Sequence, residues 1–426
     1  MGQITEKAAA ALERAERLAD EANRIFVQLD RARILADAAA LDAQREHMQH
    51  LPLYGITVSL KDLFDEQGQR STAASLILKD RPPAKEDGVV VQRLRAAGAL
   101  FFGRTSLSEF AYSGLGLNPH YGTPGCIFDS SLIPGGSSSG AALSVAHQLC
   151  DIGMGTDTGG SVRLPAAVNG LYGFKPTAHT VSTTGVHPLS TTYDSVGPLT
   201  TSLQRTVQCL NIIRDEPLAL ADISRPLNLA VPAGAFCADL DASVASAFQN
   251  QLDTLAAAGH NITELAMHAL DDWTVALRMT VSYEAQSQYK PYLQALETQG
   301  DPNVLGRIHL SDGMTEADLA GHQKQRQQAI AWFNNQLRGY DALLAPTTKC
   351  ERPAIADASA DFVNYNGAVL RNTTYINLVN GCGLTLPVER GDSLPPAALM
   401  VCGPENQDAT VLSASRVIDQ LLNPEL

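Results

Sequence analysis

The sequence lacks clustered basic residues and long apolar runs, and each absence excludes a class of protein. The chain holds 31 Lys and Arg against 45 Asp and Glu, which gives a formal net charge of −14. A nucleic-acid groove needs a concentrated basic surface, so we expect no nucleic-acid partner. No run approaches the ~18 apolar residues of a membrane span, and the charged N-terminal segment has no apolar signal core. We therefore expect a cytoplasmic protein without a membrane partner.

Cysteine and histidine form none of the usual metal or disulfide patterns. The seven cysteines are an odd number and form no C-x-x-C pair, which argues against a disulfide framework and a cysteine-rich zinc site. His47 and His50 stand three residues apart, but no further ligand accompanies them. The expectation is a chain of free thiols in a reducing compartment, with no metal.

The chain has the length and composition of a globular protein, since 45% of its 426 residues are hydrophobic and 18% are charged. Segments with strand character alternate with helical ones, which indicates an α/β fold. Residues 1–50 have the pattern of amphipathic helices, and residues 240–338 are mostly helical and carry much of the charge. We expect one domain over residues 1–426, with residues 240–338 as a helical insertion that covers the substrate site.

Two segments rich in glycine and small hydroxyl residues are candidates for chemistry: "PGGSSSGAALSVAH" at 134–147 and "GTDTGGSVRLPAA" at 155–167. In the second, Ser161 follows two glycines, where successive backbone N–H groups can point one way and hold a developing oxyanion. The alternative is a tight turn with a solvated serine. In the first, Ser138 is the centre of a G-x-S-x-G pattern like the nucleophile elbow of α/β-hydrolases. The loop-like residues before it do not suit an elbow, which should follow a buried strand.

A nucleophilic serine needs a base. His179 and His187 lie nearest to Ser161 in sequence among the histidines that follow it. The other base known for serine is a neutral lysine. Lys61 ends the apolar stretch "YGITVSLKD", and burial at that position would lower the pKa of its ammonium group. The alternative for Lys61 is a solvent-facing lysine at the end of a strand.

Seven segments follow one another in a fixed order over residues 53–421. They are "GITVSLKD", "GRTSLSEFA", "PGGSSSGAA", "GTDTGGSVRLPAAVNGLYGFKPT", "DSVGPLTTS", "DALLAPTT" and "CGPENQDATVL". This ordered series resembles the amidase signature family of serine hydrolases. The resemblance implies an α/β fold with a central mixed, twisted β-sheet that helices flank on both faces. It also implies hydrolysis of a carbon–nitrogen bond without an organic cofactor.

The same resemblance implies a catalytic triad. Ser161 matches the nucleophile, Lys61 matches the base, and Ser137 matches the bridging serine, which the family holds in a cis peptide bond. Ser137 precedes Ser161 by 24 residues, the family's usual spacing. The backbone N–H groups of the nucleophile's turn would form the oxyanion hole; the residues are Thr158, Gly159, Gly160 and Ser161. We expect Asp157 and Arg163 to be a structural pair beside this turn.

The substrate pocket is the part that the resemblance defines least. Arg371 lies in a segment that lines the acyl site of related amidases, and its guanidinium is suited to a substrate carboxylate; the alternative is a structural arginine. Tyr112, Tyr375 and Ser138 are the other predicted substrate contacts. The loop has Ser139 where the family usually has glycine, which leaves the expected triad intact.

Three functions are compatible with these residues. The first is an amidase for a small amide or urea-like compound, either with or without a carboxylate group. The second is a glutaminase-type subunit that delivers ammonia to a partner enzyme. The third is a non-catalytic binding protein of amidase type. The expected partners are a small-molecule amide and, by family resemblance, a second copy of the chain as a homodimer or a partner subunit.

Overall fold

The computed structural model describes residues 2–391 and 394–424. One sheet of eleven strands runs through this part of the chain, in the order β1-β3-β2-β4-β6-β5-β10-β11-β9-β7-β8. The strands are β1 Phe26–Gln28, β2 Thr57–Lys61, β3 Leu100–Thr105, β4 Ile152–Asp157, β5 Tyr172–Lys175, β6 Ser195–Thr200, β7 Asn228–Ala233, β8 Asn261–Ala266, β9 Ala342–Pro346, β10 Cys382–Val388 and β11 Ala397–Gly403.

The sheet is mixed, as the fold prediction required. Strand β2 runs parallel to β3 and to β4, and β7 runs parallel to β9 and to β8. The other neighbours are antiparallel. Because parallel strands end at the same edge of a sheet, the carboxyl ends of β2 and β4 lie side by side. That edge therefore carries both Lys61 and Asp157.

Sixteen α-helices surround the sheet in the described residues. They are α1 Gln3–Leu18, α2 Asp20–Ile25, α3 Arg31–Ala43, α4 Arg45–Met48, α5 Val89–Ala96, α6 Ser139–Ala146, α7 Arg163–Val168, α8 Leu203–Ile213, α9 Ala242–Ala257, α10 Ala269–Tyr289, α11 Leu293–Gln299, α12 Pro302–Ile308, α13 Glu316–Gln336, α14 Ile355–Ala360, α15 Phe362–Leu378 and α16 Asp408–Leu422. None of these helices is both long and apolar enough to cross a bilayer.

Strand β9 demonstrates that both faces of the sheet are covered. Successive side chains of a strand point to opposite faces. Ala342 and Leu344 belong to one hydrophobic cluster, which α5, α8, α9 and α16 complete. Leu343 and Ala345 belong to a second cluster, which α10, α12, α13 and α15 complete. This arrangement confirms the predicted α/β architecture with helices on both faces.

The helical segments predicted at residues 1–50 and 240–338 each contain a strand as well. Strand β1 pairs antiparallel with β3 at one edge of the sheet. Strand β8 pairs parallel with β7 at the other edge. The mostly helical segment at residues 240–338 thus also contributes an edge strand, because after α9 the chain returns to the sheet before α10 begins. The residues of β8 are exposed or half-buried, so hydrophobic alternation gives little sign of this strand.

Candidate active site

Lys61 is the last residue of β2, and the parallel register with β4 fixes its position. Leu60, one residue earlier, pairs with Met154 of β4, so the lysine side chain lies beside the end of that strand. Lys61 has no exposed surface. Its Nζ donates to Ser137 Oγ at 2.7 Å and to Thr156 Oγ1 at 2.8 Å. Lys61 is therefore not the solvent-facing lysine that was the alternative interpretation of its sequence position.

The environment of Lys61 favours the neutral amine. Burial lowers the pKa of Lys61 from 10.5 to about 7, because a charged ammonium loses its hydration there. The negative charges of Asp194 and Asp157 act in the opposite direction but do not cancel the effect of burial. A substantial fraction of this lysine is therefore unprotonated near neutral pH, as a proton acceptor must be.

The serine-rich segment brings Ser137 to Lys61 at the entrance to α6. The peptide bond between Gly136 and Ser137 is cis. The Ser138 N–H donates to Ser161 O at 3.3 Å, which joins the serine-rich loop to the turn after β4. Ser138 is fully buried, and its hydroxyl donates to Thr156 O at 3.3 Å. Neither the elbow geometry nor a substrate contact predicted for Ser138 fits this position, because no strand precedes it directly and its side chain faces protein.

The turn after β4 leaves a row of backbone donors available. Gly160 has φ +137°, and a Cβ there would lie 2.0 Å from Thr373 Oγ1, so only glycine fits. Thr373 Oγ1 donates to Gly159 O at 2.7 Å and holds the turn from behind. Within the described residues, the N–H groups of Gly159, Gly160 and Ser161 donate to no protein acceptor. Fixed donors of this kind are suited to an oxyanion.

A buried ion pair holds the same turn in place. Arg163 Nη2 and Nε donate to the two oxygens of Asp157 at 3.0 and 3.1 Å, and neither side chain is exposed. The Val162 N–H also donates to Asp157 Oδ2 at 3.1 Å. Burial alone would raise the pKa of Asp157, but the Arg163 charge and its hydrogen bonds hold that pKa at about 2. This pair has the structural position expected for it, and it lies beneath the candidate nucleophile.

Asp194 is a residue of the site that the sequence analysis did not single out. Thr158 Oγ1 donates to Asp194 Oδ1 at 2.5 Å, and the N–H groups of Leu189 and Ser190 donate to Oδ2 at 2.9 and 3.1 Å. Burial raises the pKa of Asp194 to about 6 although these hydrogen bonds act against the rise. The only signal was its place at the head of the "DSVGPLTTS" segment. Its carboxylate steadies Thr158 and acts electrostatically on Lys61.

A cavity of about 310 Å³ opens above Ser161. Helices α10, α12 and α15 form much of its wall. Six of the predicted site residues line the cavity: Tyr112, Thr158, Gly159, Ser161, Arg371 and Tyr375. The volume is at the lower end of the range for small-molecule sites.

The three predicted substrate contacts on the cavity wall have different partners. Arg371 Nη2 donates to Phe236 O at 2.9 Å, and its Nε donates to Asn372 Oδ1 at 3.1 Å. The Tyr375 hydroxyl donates to the Asp271 carboxylate. Tyr112 is buried, with its hydroxyl 3.4 Å from Arg307 O. Arg371 thus has protein acceptors of its own, which matches the structural alternative considered for it.

Histidine does not supply the contact that lysine makes. His187 Nε2 lies 3.1 Å from the Tyr289 hydroxyl, and burial lowers the pKa of His187 to about 4. His179 has φ +69° in a turn and does not line the cavity. Across residues 2–391 and 394–424, no group of three or more His, Cys, Asp or Glu side chains is placed to hold a metal ion.

The chain belongs to the amidase family. A sequence model of that family, described as "Amidase", matches residues 6–412, which include every residue of the site described above. A solved structure titled "Crystal structure of amidase" superimposes with a TM-score of 0.90 at 29% identity, and the match covers 99% of this chain and 96% of that one. Family and fold together define a hydrolase of carbon–nitrogen bonds.

Two curated relatives differ in what their names say they do. The chain is similar to the 2-amino-5-chloromuconic acid deaminase of Comamonas testosteroni, with 29% identity over 92% of this chain and 87% of the relative. It is also similar to a glutamyl-tRNA(Gln) amidotransferase subunit of Anaeromyxobacter sp. (strain K), with 31% identity over 94% of this chain and 89% of that relative. The shared family therefore does not define one substrate.

Proposed function

We propose that the protein hydrolyses the C–N bond of a small amide or urea-like compound through an acyl-enzyme on Ser161. The observation that carries this proposal is the 2.7 Å contact between Lys61 Nζ and Ser137 Oγ. A buried amine with a pKa of about 7 is in contact with a hydroxyl whose loop is bonded to the turn of Ser161. No other described base stands in this position.

In the first half-reaction, Ser161 Oγ attacks the carbonyl carbon and its proton moves to Ser137 Oγ. Ser137 gives its own proton to the neutral Lys61 amine. The backbone N–H groups of residues 158–161 stabilise the negative oxygen of the tetrahedral intermediate. The C–N bond then breaks, and the proton returns through Ser137 to the departing nitrogen. The amine leaves, and the acyl group remains on Ser161 as an ester.

In the second half-reaction, water attacks the acyl ester through the same relay. Lys61 takes one proton from the water through Ser137, and the oxygen of water forms the new bond to the acyl carbon. The ester bond breaks, and the proton returns to Ser161 Oγ. A carboxylic acid is released and the three side chains recover their starting protonation states.

Labelling with a fluorophosphonate and peptide mapping tests the proposal without a known substrate. The expected result is one adduct on Ser161, formed as its Oγ displaces fluoride from phosphorus. An adduct on Ser138 would contradict the triad and favour the elbow. Folded protein without any adduct would favour a non-catalytic binding protein. The matched control is Ser195→Ala, a buried serine whose hydroxyl donates to Asp157 O, which should leave the mapped site unchanged.

A second candidate function is a glutaminase-type component of an amidotransferase. The 31% identity to an amidotransferase subunit over 94% of this chain favours it. The test is glutamine hydrolysis by the purified chain, together with co-purification of a larger partner from the native source. Hydrolysis that requires such a partner would support this candidate, whereas turnover of small amides by the chain alone supports the first proposal.

A further inference from the structure

Arg307 differs from Arg163 and Arg371 because its guanidinium has no protein acceptor among the described residues. It is half-buried on α12 and lines the cavity above Ser161. Its Nε is buried without a hydrogen-bond acceptor, and no carboxylate of the described chain lies within ion-pair distance of its guanidinium. By contrast, Arg163 is paired with Asp157, and Arg371 has two oxygen acceptors. Charged groups withdrawn from water are normally paired, since an unpaired one is costly.

The position of the Arg307 guanidinium is nonetheless well defined. It lies over the ring of Tyr112, with 4.5 Å from the guanidinium carbon to the ring centroid. Stacking on an aromatic face orients the plane of an arginine and leaves its N–H edge free. Tyr112 and Arg307 both belong to the cavity wall, so the stacked guanidinium lies at that wall. The protein thus orients the Arg307 guanidinium but supplies no acceptor for its hydrogen-bond donors.

The cavity wall as a whole is positive, in a protein whose formal net charge is −14. Its charged residues are three arginines, Arg278, Arg307 and Arg371, against the single acid Asp271. The carboxylate of Asp271 already accepts the Tyr375 hydroxyl. Burial lowers the pKa of Arg307, and the nearby charge of Arg278 lowers it further. An anion in the cavity would relieve both effects.

We infer that Arg307, with Arg278 beside it, binds a carboxylate of the substrate, so that the substrate class is small amides that also carry a carboxylate. This inference rests on the proposed function of Ser161. A planar carboxylate matches the two parallel N–H donors of a guanidinium. The cavity of about 310 Å³ has room for on the order of ten non-hydrogen atoms at ~30 Å³ each. Arg371, the arginine predicted from sequence for this role, supports the wall instead.

The test uses linear dicarboxylic acids of three to six carbons and the corresponding neutral diamides. Each is scored by the shift of the thermal unfolding midpoint and by protection of Ser161 from the fluorophosphonate. We expect at least one dicarboxylate to stabilise the protein and slow the labelling, and the diamides to do so far less. Neutral diamides that act as well as the acids would overturn the inference, and so would acids that have no effect on stability.

The Arg307→Met substitution tests whether Arg307 is the residue that binds the acid. Loss of a charge-assisted hydrogen bond weakens binding by roughly tenfold to a hundredfold, so the concentration of acid needed for half-maximal stabilisation should rise by that factor. Arg307→Lys, which keeps the charge without the planar donors, should fall in between. The matched control is Arg338→Met, which removes an exposed arginine. An unchanged response in Arg307→Met would show that the anion binds elsewhere.

The two readouts separate this inference from the proposed function. If a dicarboxylate stabilises the wild type in an Arg307-dependent manner but Ser161 is never labelled, the anion site stands and the catalytic proposal fails. If Ser161 is labelled but no acid acts, the catalytic proposal stands and the anion site fails. Removal of Arg307 breaks no ion pair of the described chain, so the variant is expected to fold, and its thermal unfolding midpoint without acid checks that it has.

Discussion

The pH dependence of Ser161 labelling tests the role of Lys61 most directly. Burial places the pKa of Lys61 at about 7, against 10.5 for an ordinary lysine. Only the neutral amine accepts the proton that leaves the nucleophile, so the labelling rate should follow the neutral fraction. The pKa is lowered, which means that the neutral form and the activity appear as the pH rises through about 7 and are lost below it.

The size of the effect distinguishes three cases. With a pKa of about 7, roughly one lysine in ten is neutral at pH 6 and roughly nine in ten at pH 8, so the rate rises about tenfold and then levels off. A lysine with its ordinary pKa would give a rise of about a hundredfold over the same interval and no plateau. A group that does not titrate in this range would give no rise.

The assay follows the second-order rate of fluorophosphonate labelling across this range at constant ionic strength. Lys61→Met should reduce the rate to that of a serine without a base at every pH. Lys324→Met, which removes an exposed lysine of α13, should retain the wild-type profile. A flat profile, or one that continues to rise about tenfold per pH unit above pH 8, would refute the assignment of Lys61 as the buried base.

Three further predictions concern the residues around the triad. Gly160→Ala should reduce the labelling rate by about 10²–10³-fold, because the new methyl group displaces the oxyanion donors. The control Gly259→Ala, at φ +88° with open space around it, should leave the labelling rate unchanged. Equal effects of the two substitutions would contradict the reasoning. Arg163→Met should lower the free energy of unfolding by about 3–5 kcal/mol, because the Asp157 charge is left buried and unpaired; an unchanged denaturation midpoint would refute this. Asp194→Asn should move the midpoint of the pH profile below that of the wild type, because that carboxylate raises the lysine's pKa; a midpoint that stays or rises would contradict it.

Much of the fold was predictable because its signals are local. Strands β2, β3, β4, β7, β9, β10 and β11 each lie in an apolar run that the sequence marks clearly, and the alternation of strand and helix indicates the α/β class. Strand β8 was not predictable, since its side chains are exposed or half-buried. Its place in the sheet comes from backbone pairing with β7 at the edge, which leaves no hydrophobic pattern.

The candidate site likewise has residues that the sequence predicts and residues that it does not. Lys61, Ser137 and Ser161 were identified from ordered motifs. The need for glycine before Ser161 depends on the fold as well, because Thr373 of the distant helix α15 lies behind that backbone. Asp194 carries no local sign of its position near Lys61. Its effect on the pKa of that lysine exists only because the fold places both groups in one region of low hydration.

In the pocket, the sequence motifs indicate Arg371, whereas the structure indicates Arg307. Arg371 lies in a recognisable segment, yet its donors contact Phe236 O and Asn372 Oδ1. Arg307 lies in an ordinary helical stretch, "DPNVLGRI", and nothing local distinguishes it. Whether an arginine has a partner depends on atoms contributed by distant parts of the chain, so this property is not readable from neighbouring residues.

Short motifs in a fixed order were enough to identify the family, the α/β class and the candidate nucleophile, bridging serine and lysine, because each of these depends on local sequence. The burial of Lys61 and its contact with Ser137 required the folded chain, since the end of β2 and the loop before α6 meet only there. The same is true of the arginine that is left without an acceptor in the cavity. Burial, pairing and charge environment are properties of the assembled chain, and they set the chemistry that the motifs alone leave open.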